Sequence, residues 1–112
     1  MKASPPEEND VWRALADPSR REILDLLRKR SRTTNELCEF FLFSRYAVMK
    51  HLKVLEEASL IRVEREGRHR INHINPVPIQ AIYRRWIKPF EKLPSDRLLR
   101  LKQIAEKGKE SS

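Results

Sequence analysis

Hydrophobic residues in the first half of the chain recur at helical spacing in four segments. The segments are residues 11–16, 18–29, 34–41 and 45–58. The apolar positions of the first three are Val11, Trp12, Leu15, Ala16, Ile23, Leu24, Leu26, Leu27, Leu37, Phe40 and Phe41. In the fourth, Val48, Leu52 and Leu55 fall within one narrow arc. The opposite arc holds Tyr46, Met49, Lys50, Lys53 and Glu57. The pattern predicts four helices, and the fourth buries one narrow side and presents a wide basic and aromatic face.

Residues that favour helix starts stand in front of each segment. The candidate N-caps are Asn9 or Asp10 for the first helix, Asp17 for the second, Thr33 for the third and Ser44 for the fourth. Pro18 fits the first position of the second helix, where no N–H donor is needed. Glu36 completes a capping box with Thr33, and Ser19 with Glu22 offers an alternative capping box for the second helix.

Beyond Ser59 the hydrophobic period changes from that of a helix to that of a strand. Ile61 and Val63 alternate with charged residues, and residues 70–74 form a returning strand. Between the two strands, the sequence Glu66-Gly67-Arg68 predicts a tight turn with the glycine at a position of positive φ. We therefore expect a β-hairpin.

The last third of the chain is again helical in its pattern. A long helix is predicted from about Val77, with a kink at Pro89, where the ring removes a helical hydrogen bond. Ser95 can cap a last segment, and the chain is expected to fray from Lys107. The apolar positions of the long helix are Ile79, Ile82, Tyr83, Trp86, Ile87 and Phe90, and those of the last segment are Leu98, Leu99, Leu101 and Ile104.

The order of these elements is that of a winged helix-turn-helix. The fold is expected to be mainly α with a small β-hairpin, four helices preceding the hairpin and a fifth following it. The third helix braces the fourth at a steep angle, so the first turns of the fourth helix can enter a major groove of DNA. The hairpin tip, which carries Arg68, His69 and Arg70, then extends towards a neighbouring minor groove or phosphates.

The net charge of the chain indicates what kind of partner it could bind. The 112 residues include 24 Lys and Arg against 16 Asp and Glu, a formal net charge of +8. A small domain this basic either binds a polyanion or is kept in solution by self-repulsion. The helix-turn-helix pattern favours the first alternative, with double-stranded DNA as the polyanion.

Several classes of protein are disfavoured by the composition. Two glycines are too few for a glycine-rich nucleotide loop, and no apolar run is long enough to cross a membrane. The N-terminal residues contain no apolar run, so we expect no secretory signal, and with a single cysteine we expect the cytoplasm. An enzyme is not expected, because we find no Ser/His/Asp, Cys/His or paired-carboxylate set on elements that the fold would bring together.

Three stretches of the chain resemble the ArsR/SmtB-type bacterial repressors. Residues 14–27 resemble the opening signature of that family, residues 44–58 its recognition helix and residues 60–68 its wing. Residues 86–90, Trp-Ile-Lys-Pro-Phe, further resemble a metal-independent branch. The resemblance covers about residues 11 to 90. It implies a homodimeric winged-helix transcriptional repressor whose first and last helices form the dimer interface.

The candidate DNA-binding residues lie on the fourth helix and the hairpin. Those expected to reach base edges are Arg45, Tyr46, Met49 and Lys50, because Arg can bind guanine bidentately and Tyr or Met can contact thymine methyl groups. Ser44 and Lys53 are expected at phosphates, and His51 is either structural or a phosphate contact. The hairpin contributes Arg68, His69 and Arg70. Arg20 and Arg21 either touch the DNA backbone or are simply solvated.

The candidate dimer interface is a set of large apolar side chains that exceeds what a core of this size can hide. Its members are Trp12, Leu15, Ile82, Tyr83, Trp86, Ile87 and Phe90. Aromatic side chains are enriched in subunit interfaces.

For the chain as a whole, we expect residues 1–8 to form a disordered tail, residues 9–93 a DNA-binding and dimerisation domain, and residues 94–112 a C-terminal helical extension.

The sequence departs from the family pattern at its sensing site and at two turns. Metal-sensing members carry Cys-x-Cys in the third helix, whereas this chain has Cys38 followed by Phe40, and no histidine occurs after His73. No metal or cofactor is therefore expected. The effector is left open: there is none, or it is a small molecule near the dimer helices, or Cys38 is oxidised. Leu42 and Ser59 replace glycines that the family usually has in turns, where a positive φ costs about 1 kcal/mol.

Two other functions remain as alternatives. A winged helix can serve as a protein-interaction module, in which case the positive face would bind an acidic partner. An RNA-binding domain would need exposed aromatic side chains for unstacked bases, but most aromatics here fall on apolar helix stripes. The run Phe40-Phe41-Leu42-Phe43 is expected to pack in the core and the turn, with a partner or ligand contact as the alternative.

Overall fold

The computed structural model describes residues 7–94 and 100–106. The elements are α1 (Glu8–Leu15), α2 (Pro18–Lys29), β1 (Arg32–Thr33), α3 (Thr34–Glu39), α4 (Arg45–Glu57), β2 (Ile61–Glu66), β3 (His69–Ile74), α5 (Val77–Ile82), a π-helical turn (Tyr83–Ile87) and α6 (Lys88–Glu91). Residues 100–106 are also helical. The mainly helical fold with a small antiparallel sheet confirms the predicted class. The structure forms two compact units, the second of which begins at Ile82.

The helix starts follow the capping residues, with one exception. The Asp17 side chain accepts hydrogen bonds from the backbone N–H groups of Ser19 at 2.8 Å and Arg20 at 3.1 Å, so Asp17 is the N-cap of α2 as predicted. The prediction that Asn9 or Asp10 caps α1 is wrong. The helix begins at Glu8, and Asp10 instead accepts a hydrogen bond from the Glu7 N–H at 3.2 Å from inside the first turn.

The core of the first unit is built from the predicted helical stripes. Its buried apolar residues are Val11, Ala14, Ile23, Leu24, Leu27, Leu37, Val48, Leu52, Leu55, Ala58, Leu60 and Ile61. On α4 the narrow stripe is fully buried, as predicted. The third helix is shorter than expected: α3 ends at Glu39, and Phe40 is 50% exposed rather than part of a buried face.

The sheet has three antiparallel strands in the order β1-β3-β2. Strands β2 and β3 form the predicted hairpin, in which Glu66 pairs with His69. The turn between them has Gly67 at φ +60°, the position that favours glycine in a two-residue hairpin turn. Strand β1 was not predicted, because its two residues lie in a polar connector and pair with Ile71 and Asn72 far along the chain.

The two turns that lack the family's glycines behave differently. Ser59 has φ +58°. Among residues 7–94 and 100–106, it is the only residue other than glycine with a positive φ. Its N–H donates to the Glu56 carbonyl at 2.9 Å, and the Leu60 N–H donates to the Leu55 carbonyl at 2.9 Å, which is the Schellman ending of a helix. Leu42 has no positive φ, so the turn before α4 takes a different path and leaves this side chain fully exposed.

The irregularity near Pro89 takes the form of a π-helical turn. The Lys88 N–H donates to the Tyr83 carbonyl, five residues back, at the end of that turn. Pro89 follows directly and has no N–H to continue the α-helical pattern. The predicted cap Ser95 and the apolar residues Leu98 and Leu99 lie outside the described residues, as do most of the predicted tail and the residues from Lys107 onwards.

Candidate nucleic-acid interface

Helix α4 presents its predicted polar and aromatic face to solvent. Ser44 caps the helix, and its hydroxyl accepts a hydrogen bond from the Ala47 N–H at 3.1 Å. Tyr46 is 74% exposed, Lys50 and Lys53 are exposed, and Met49 is half-buried. The Lys50 ammonium lies 5.9 Å from the centre of the Tyr46 ring, so the two side chains share one side of the helix.

Arg45 is held by the preceding helix. Its guanidinium donates a hydrogen bond to the side-chain oxygen of Asn35 in α3. An arginine carries five N–H donors, so this contact orients the side chain and leaves donors for a second acceptor. The sequence predicts Arg45 as a DNA-binding residue but gives no sign of its contact with Asn35, because Asn35 lies on a different element.

A groove separates α4 from the hairpin. It has a volume of about 500 Å³ and is lined by Tyr46, Met49, Lys50, Lys53, Glu56 and Arg70. We call it the wing-side groove. Arg70 lies 4.0 Å from the Glu56 carboxylate and is half-buried, while its Nε has no hydrogen-bond partner in the structure. The groove therefore joins predicted DNA-binding residues of the helix and of the hairpin.

A second groove lies between α4 and the start of α2. It has a volume of about 270 Å³ and is lined by Arg20, Ala47, Lys50, His51 and Val54. We call it the α2-side groove. Lys50 lines both grooves, so α4 stands between them as a ridge. The α4 positions in the second groove follow the helical period i, i+3, i+4, i+7, which is a signal that could have identified this edge from the sequence.

Arg20 is anchored rather than simply solvated. Its Nε donates to the Ala14 carbonyl at 2.9 Å and its Nη2 to the Arg13 carbonyl at 3.0 Å, so it caps the end of α1. Its Nη1 lies 3.3 Å from Nδ1 of His51. Arg21 likewise donates to the Leu15 carbonyl at 2.7 Å. Both arginines therefore hold α1 against α2, which their sequence positions did not reveal.

Two carboxylates near these helix starts are stabilised in their ionised form. Burial alone would raise the pKa of Asp17, but hydrogen bonds from the backbone N–H groups that it caps and the charge of Arg20 lower it overall. The N–H of Thr33, followed by the side chain of Arg30, lowers the pKa of Glu36 from 4.5 to about 2. The Arg30 guanidinium lies 2.6 Å from the Glu36 carboxylate.

The hairpin tip exposes Arg68 and His69, while Arg70 faces the wing-side groove. Glu64 and Glu66 lie on the neighbouring strand, so the wing carries both signs of charge. The tip therefore places a cationic side chain beyond the body of the first unit, as the sequence predicted for a wing.

A serine, a histidine and a carboxylate do come together on the sheet, contrary to the expectation from sequence. Ser31 Oγ lies 2.6 Å from His73 Nδ1, and His73 Nε2 lies 3.0 Å from the Glu64 carboxylate. The three residues are separated by up to 42 positions, which is why no local pattern announced them. Neither groove beside α4 is lined by any of them, so the contact serves to join the connector after α2 to both strands of the hairpin.

The family's cysteine position carries a free, half-buried thiol. Within the described residues, no group of three or more His, Cys, Asp or Glu side chains could hold a metal ion. Two residues after Cys38, the exposed Phe40 has its ring 5.0 Å from the Arg32 guanidinium. Phe41 and Phe43 stack with ring centres 4.7 Å apart, so part of this aromatic run packs against itself, and the Phe43 and His51 rings are in edge-to-face contact.

The candidate dimer residues divide between the two units. Trp12 is 41% exposed and Leu15 half-buried in the first unit. In the second unit, Tyr83, Trp86, Ile87 and Phe90 are exposed. Ile82 is only 5% exposed, so it has little surface to offer a second copy, and its place in the predicted set is a correction. The spacing of the apolar residues could not show that Ile82 is buried and the following ones exposed, because the π-helical turn after Ile82 changes which residues share a face of the helix.

The chain matches known regulators over most of its length. A family model described as a helix-turn-helix domain matches residues 15–64. The transcriptional repressor SdpR of Bacillus subtilis (strain 168) is 35% identical over 72 residues, covering 64% of this chain and 80% of SdpR. The HTH-type transcriptional regulator YuzN of the same organism is 34% identical over 85 residues, covering 70% and 92%. The crystal structure of the ArsR family transcriptional regulator RHA00566 has a TM-score of 0.72 at 34% identity, covering 78% and 96%. The chain belongs to the ArsR family.

Membership of the ArsR family confirms the resemblance seen in the sequence. Its members are DNA-binding transcriptional regulators rather than enzymes, and this ArsR-family chain is a DNA-binding transcriptional regulator. No helix in the described parts of the chain is both long and apolar enough to cross a membrane.

Proposed function

We propose that this ArsR-family regulator is a repressor that binds a palindromic DNA operator as a homodimer, with α4 as the recognition helix and β2–β3 as the wing. One observation carries the proposal. The exposed face of α4 stands as a ridge between two grooves, each lined by basic side chains. A ridge of this kind suits a major groove, which admits one helix between two phosphate strands.

The exposed residues of α4 divide between bases and phosphates. Arg45, Tyr46, Met49 and Lys50 would read base edges, since they lie on the first two turns of the face. Ser44 at the start of the helix and Lys53 in its second half would contact phosphates, as would His51 at the edge of the exposed face. On the wing, Arg68 and His69 would reach the backbone beyond the groove, and Arg70 would support the wing-side groove.

A second copy of the chain would cover the exposed aromatic side chains. Trp12 and Leu15 of the first unit and Tyr83, Trp86, Ile87 and Phe90 of the second are the candidate contacts, since aromatic residues are enriched at the centres of interfaces. A two-fold dimer would place two recognition helices about 34 Å apart, on successive turns of one face of the duplex. This spacing requires an operator with two inverted half-sites.

The same proposal assigns no cofactor to the chain and leaves its effector unknown. The cysteine and the three histidines are spread over three elements: Cys38 lies on α3, His51 on α4, and His69 and His73 on β3. Because its partner is the genome, we propose that the protein works in the cytoplasm.

Selection of bound sequences from random duplex DNA tests the proposal directly. We expect enrichment of an inverted repeat whose half-sites lie about one helical turn apart. If each protomer neutralises three or four phosphates, the logarithm of affinity should fall with the logarithm of salt concentration with a slope of about −5 to −7. If no sequence is enriched and the affinity for duplex DNA does not depend on salt, the result would instead favour a winged helix that binds an acidic protein.

A further inference from the structure

The α2-side groove has the chemistry of a site for a phosphate group. Its polar lining consists of Arg20, Lys50 and His51, and its apolar lining of Ala47 and Val54. Within the part of the chain that the structure describes, none of its lining residues is a carboxylate. The nearby carboxylate of Asp17 is already engaged by the backbone N–H groups at the start of α2, at 2.8 and 3.1 Å. Arg20 and Lys50 bring two positive charges to the groove and the Asp17 carboxylate beside Arg20 brings one negative charge, so the groove keeps a net positive charge.

Arg20 enters this groove already oriented. Three of its five N–H donors point at the carbonyls of Ala14 and Arg13 and at the His51 ring. One donor on each terminal nitrogen remains for another acceptor. Because the guanidinium is fixed by the end of α1, binding an anion costs little side-chain entropy, and each terminal nitrogen can still donate to an oxygen of a phosphodiester.

The contact with Arg20 also sets the tautomer of His51. An arginine can only donate, so Nδ1 of His51, 3.3 Å from Arg20 Nη1, must be the acceptor. The ring proton then lies on Nε2, which becomes a donor. The imidazole is also in edge-to-face contact with the Phe43 ring, with the two ring centres 5.7 Å apart. Arg20 and His51 thus act as one preorganised set of donors.

The position of the groove indicates where its phosphate comes from. Lys50 belongs to both grooves, so the α2-side groove borders the face of α4 that would enter the DNA. The major groove is bounded by a phosphate strand on each side, and phosphate contacts fix the orientation of a recognition helix. One strand would pass the wing-side groove, and the other would pass Arg20 and His51.

We propose that the α2-side groove binds one backbone phosphate of the operator through Arg20 and His51, with Lys50 at its rim, and so fixes the depth at which α4 enters the major groove. This inference rests on the proposed DNA-binding function. It gives Arg20 two roles, as the cap of α1 and as a phosphate ligand. It also resolves the choice left open for His51, which is structural through Nδ1 and a phosphate donor through Nε2.

Charge-matched variants test the role of Arg20. Arg20→Gln and Lys29→Gln each remove one positive charge from α2, at opposite ends of the helix, and anisotropy with a fluorescent 30-base-pair duplex across KCl concentrations measures both affinity and salt slope. We expect Arg20→Gln to weaken binding about tenfold at 0.15 M salt and to reduce the slope by about 0.9 per protomer, or about 1.8 for the dimer, while Lys29→Gln leaves both close to wild type. Equal behaviour of two folded variants would overturn the inference.

His51 supplies a second test that does not remove a charge or the cap of α1. Gln at this position can accept from Arg20 and donate to a phosphate, whereas Leu can do neither. We expect His51→Leu to lose about three- to tenfold in affinity and His51→Gln to recover most of it, with melting temperatures recorded for both. If Arg20→Gln fails to fold, the comparison of His51→Leu with His51→Gln still tests the phosphate site. Equal affinity of the Leu and Gln variants would argue against the site.

A free anion could use the same donors, and inorganic phosphate distinguishes the two sources. If the groove served a dissolved anion, phosphate would raise the wild-type melting temperature above that in chloride at equal ionic strength, Arg20→Gln would abolish the increase, and DNA binding would be unchanged. That outcome would overturn a role at the DNA backbone. Absence of salt-dependent duplex binding by the wild-type protein would instead refute the proposed function itself.

Discussion

The side-chain amide of Asn72 in β3 donates a hydrogen bond to the Thr34 hydroxyl at the start of α3, at 3.2 Å, and both side chains are buried. The same amide donates to the Arg32 carbonyl in β1 at 3.2 Å. One side chain therefore joins the wing to the first helix of the helix-turn-helix. The relative placement of wing and recognition helix depends on this polar contact as well as on apolar packing.

Replacing Asn72 by Ala should lower the free energy of unfolding by about 1–3 kcal/mol, because the buried Thr34 hydroxyl and Arg32 carbonyl lose a partner. Urea unfolding measures the change. A double-mutant cycle with Thr34→Val provides the control, since the two losses should not add when the residues share one hydrogen bond. Additive effects, or a loss below about 0.5 kcal/mol, would contradict the assigned contact.

At Ser59 the backbone adopts a left-handed conformation that glycine would tolerate better than serine does. Its φ of +58° costs a residue with a Cβ atom about 1 kcal/mol, and glycine avoids that cost. Ser59→Gly should therefore raise the unfolding free energy by about 0.5–1 kcal/mol in a thermal or urea melt. The control is Glu57→Gly, in the last turn of α4, which should lower it because the helical backbone gains nothing from glycine.

Local signals in the sequence predicted much of this fold correctly. Asp17, Thr33 and Ser44 each accept hydrogen bonds from the helix that they precede, and Gly67 has the positive φ of a hairpin turn. The three-residue stripe of α4 is buried as its spacing indicated. These features depend on residues within about one turn of each other, and the preferences of caps, glycine and helical periodicity are therefore sufficient to identify them.

Features that depend on distant residues were not predictable in the same way. Strand β1 exists because Arg32 pairs with Asn72, 40 positions away, and a stretch of two polar residues is too short to show the alternation typical of a strand. Arg20 approaches His51 across 31 positions, so its sequence context could not distinguish an anchored guanidinium from a solvated one. The wide face of α4 was evident from the sequence, whereas the grooves on its two sides follow from tertiary packing.

The capping box of α3 should make stability depend on pH. The pKa of Glu36 is lowered to about 2 in the folded protein, so its contribution is fully present above about pH 4.5 and is lost as pH falls towards 2. Glu36→Gln keeps an oxygen for the Thr33 N–H but does not titrate. We expect wild type to be more stable than Glu36→Gln at pH 6 and the difference to shrink between pH 4.5 and 2, as measured by urea midpoints at each pH.

Arg30→Gln is the matched background for that experiment, because it removes the second group that stabilises the Glu36 carboxylate. In this background the pH-dependent difference should become smaller while keeping its sign, since the Thr33 N–H still donates. A difference that stays constant from pH 6 to 2 would contradict the lowered pKa.

In the second unit, the phenol of Tyr83 donates to the Glu91 carboxylate at 3.0 Å, and this hydrogen bond raises the pKa of Tyr83 above 10. The neutral phenol is favoured in the folded chain, so its contribution is present below pH 10 and is lost as pH rises through the raised pKa. Tyr46→Phe leaves Tyr83 as the single tyrosine. We expect its absorbance titration midpoint to lie above 10 and to fall on Glu91→Gln. An unchanged midpoint would show that the two side chains do not interact in solution.

Removing one arginine from α4 and one from the wing should change different properties of DNA binding: base preference in the first case, and overall affinity and salt dependence in the second. Arg45 donates to Asn35 and keeps further donors, and under the proposed function it reads a base, so Arg45→Ala should cost about 1–3 kcal/mol on the selected operator and relax preference at one base position per half-site. Arg68 at the exposed hairpin tip would touch phosphate, so Arg68→Ala should weaken binding to all sequences equally and reduce the salt slope by about 0.9 per protomer. Selection from random DNA and salt titration of both variants measure the contrast. If Arg68→Ala changed base preference and Arg45→Ala did not, the assignment of α4 as the reading element would be wrong, because the side chain that discriminates between bases must lie in the groove that displays them.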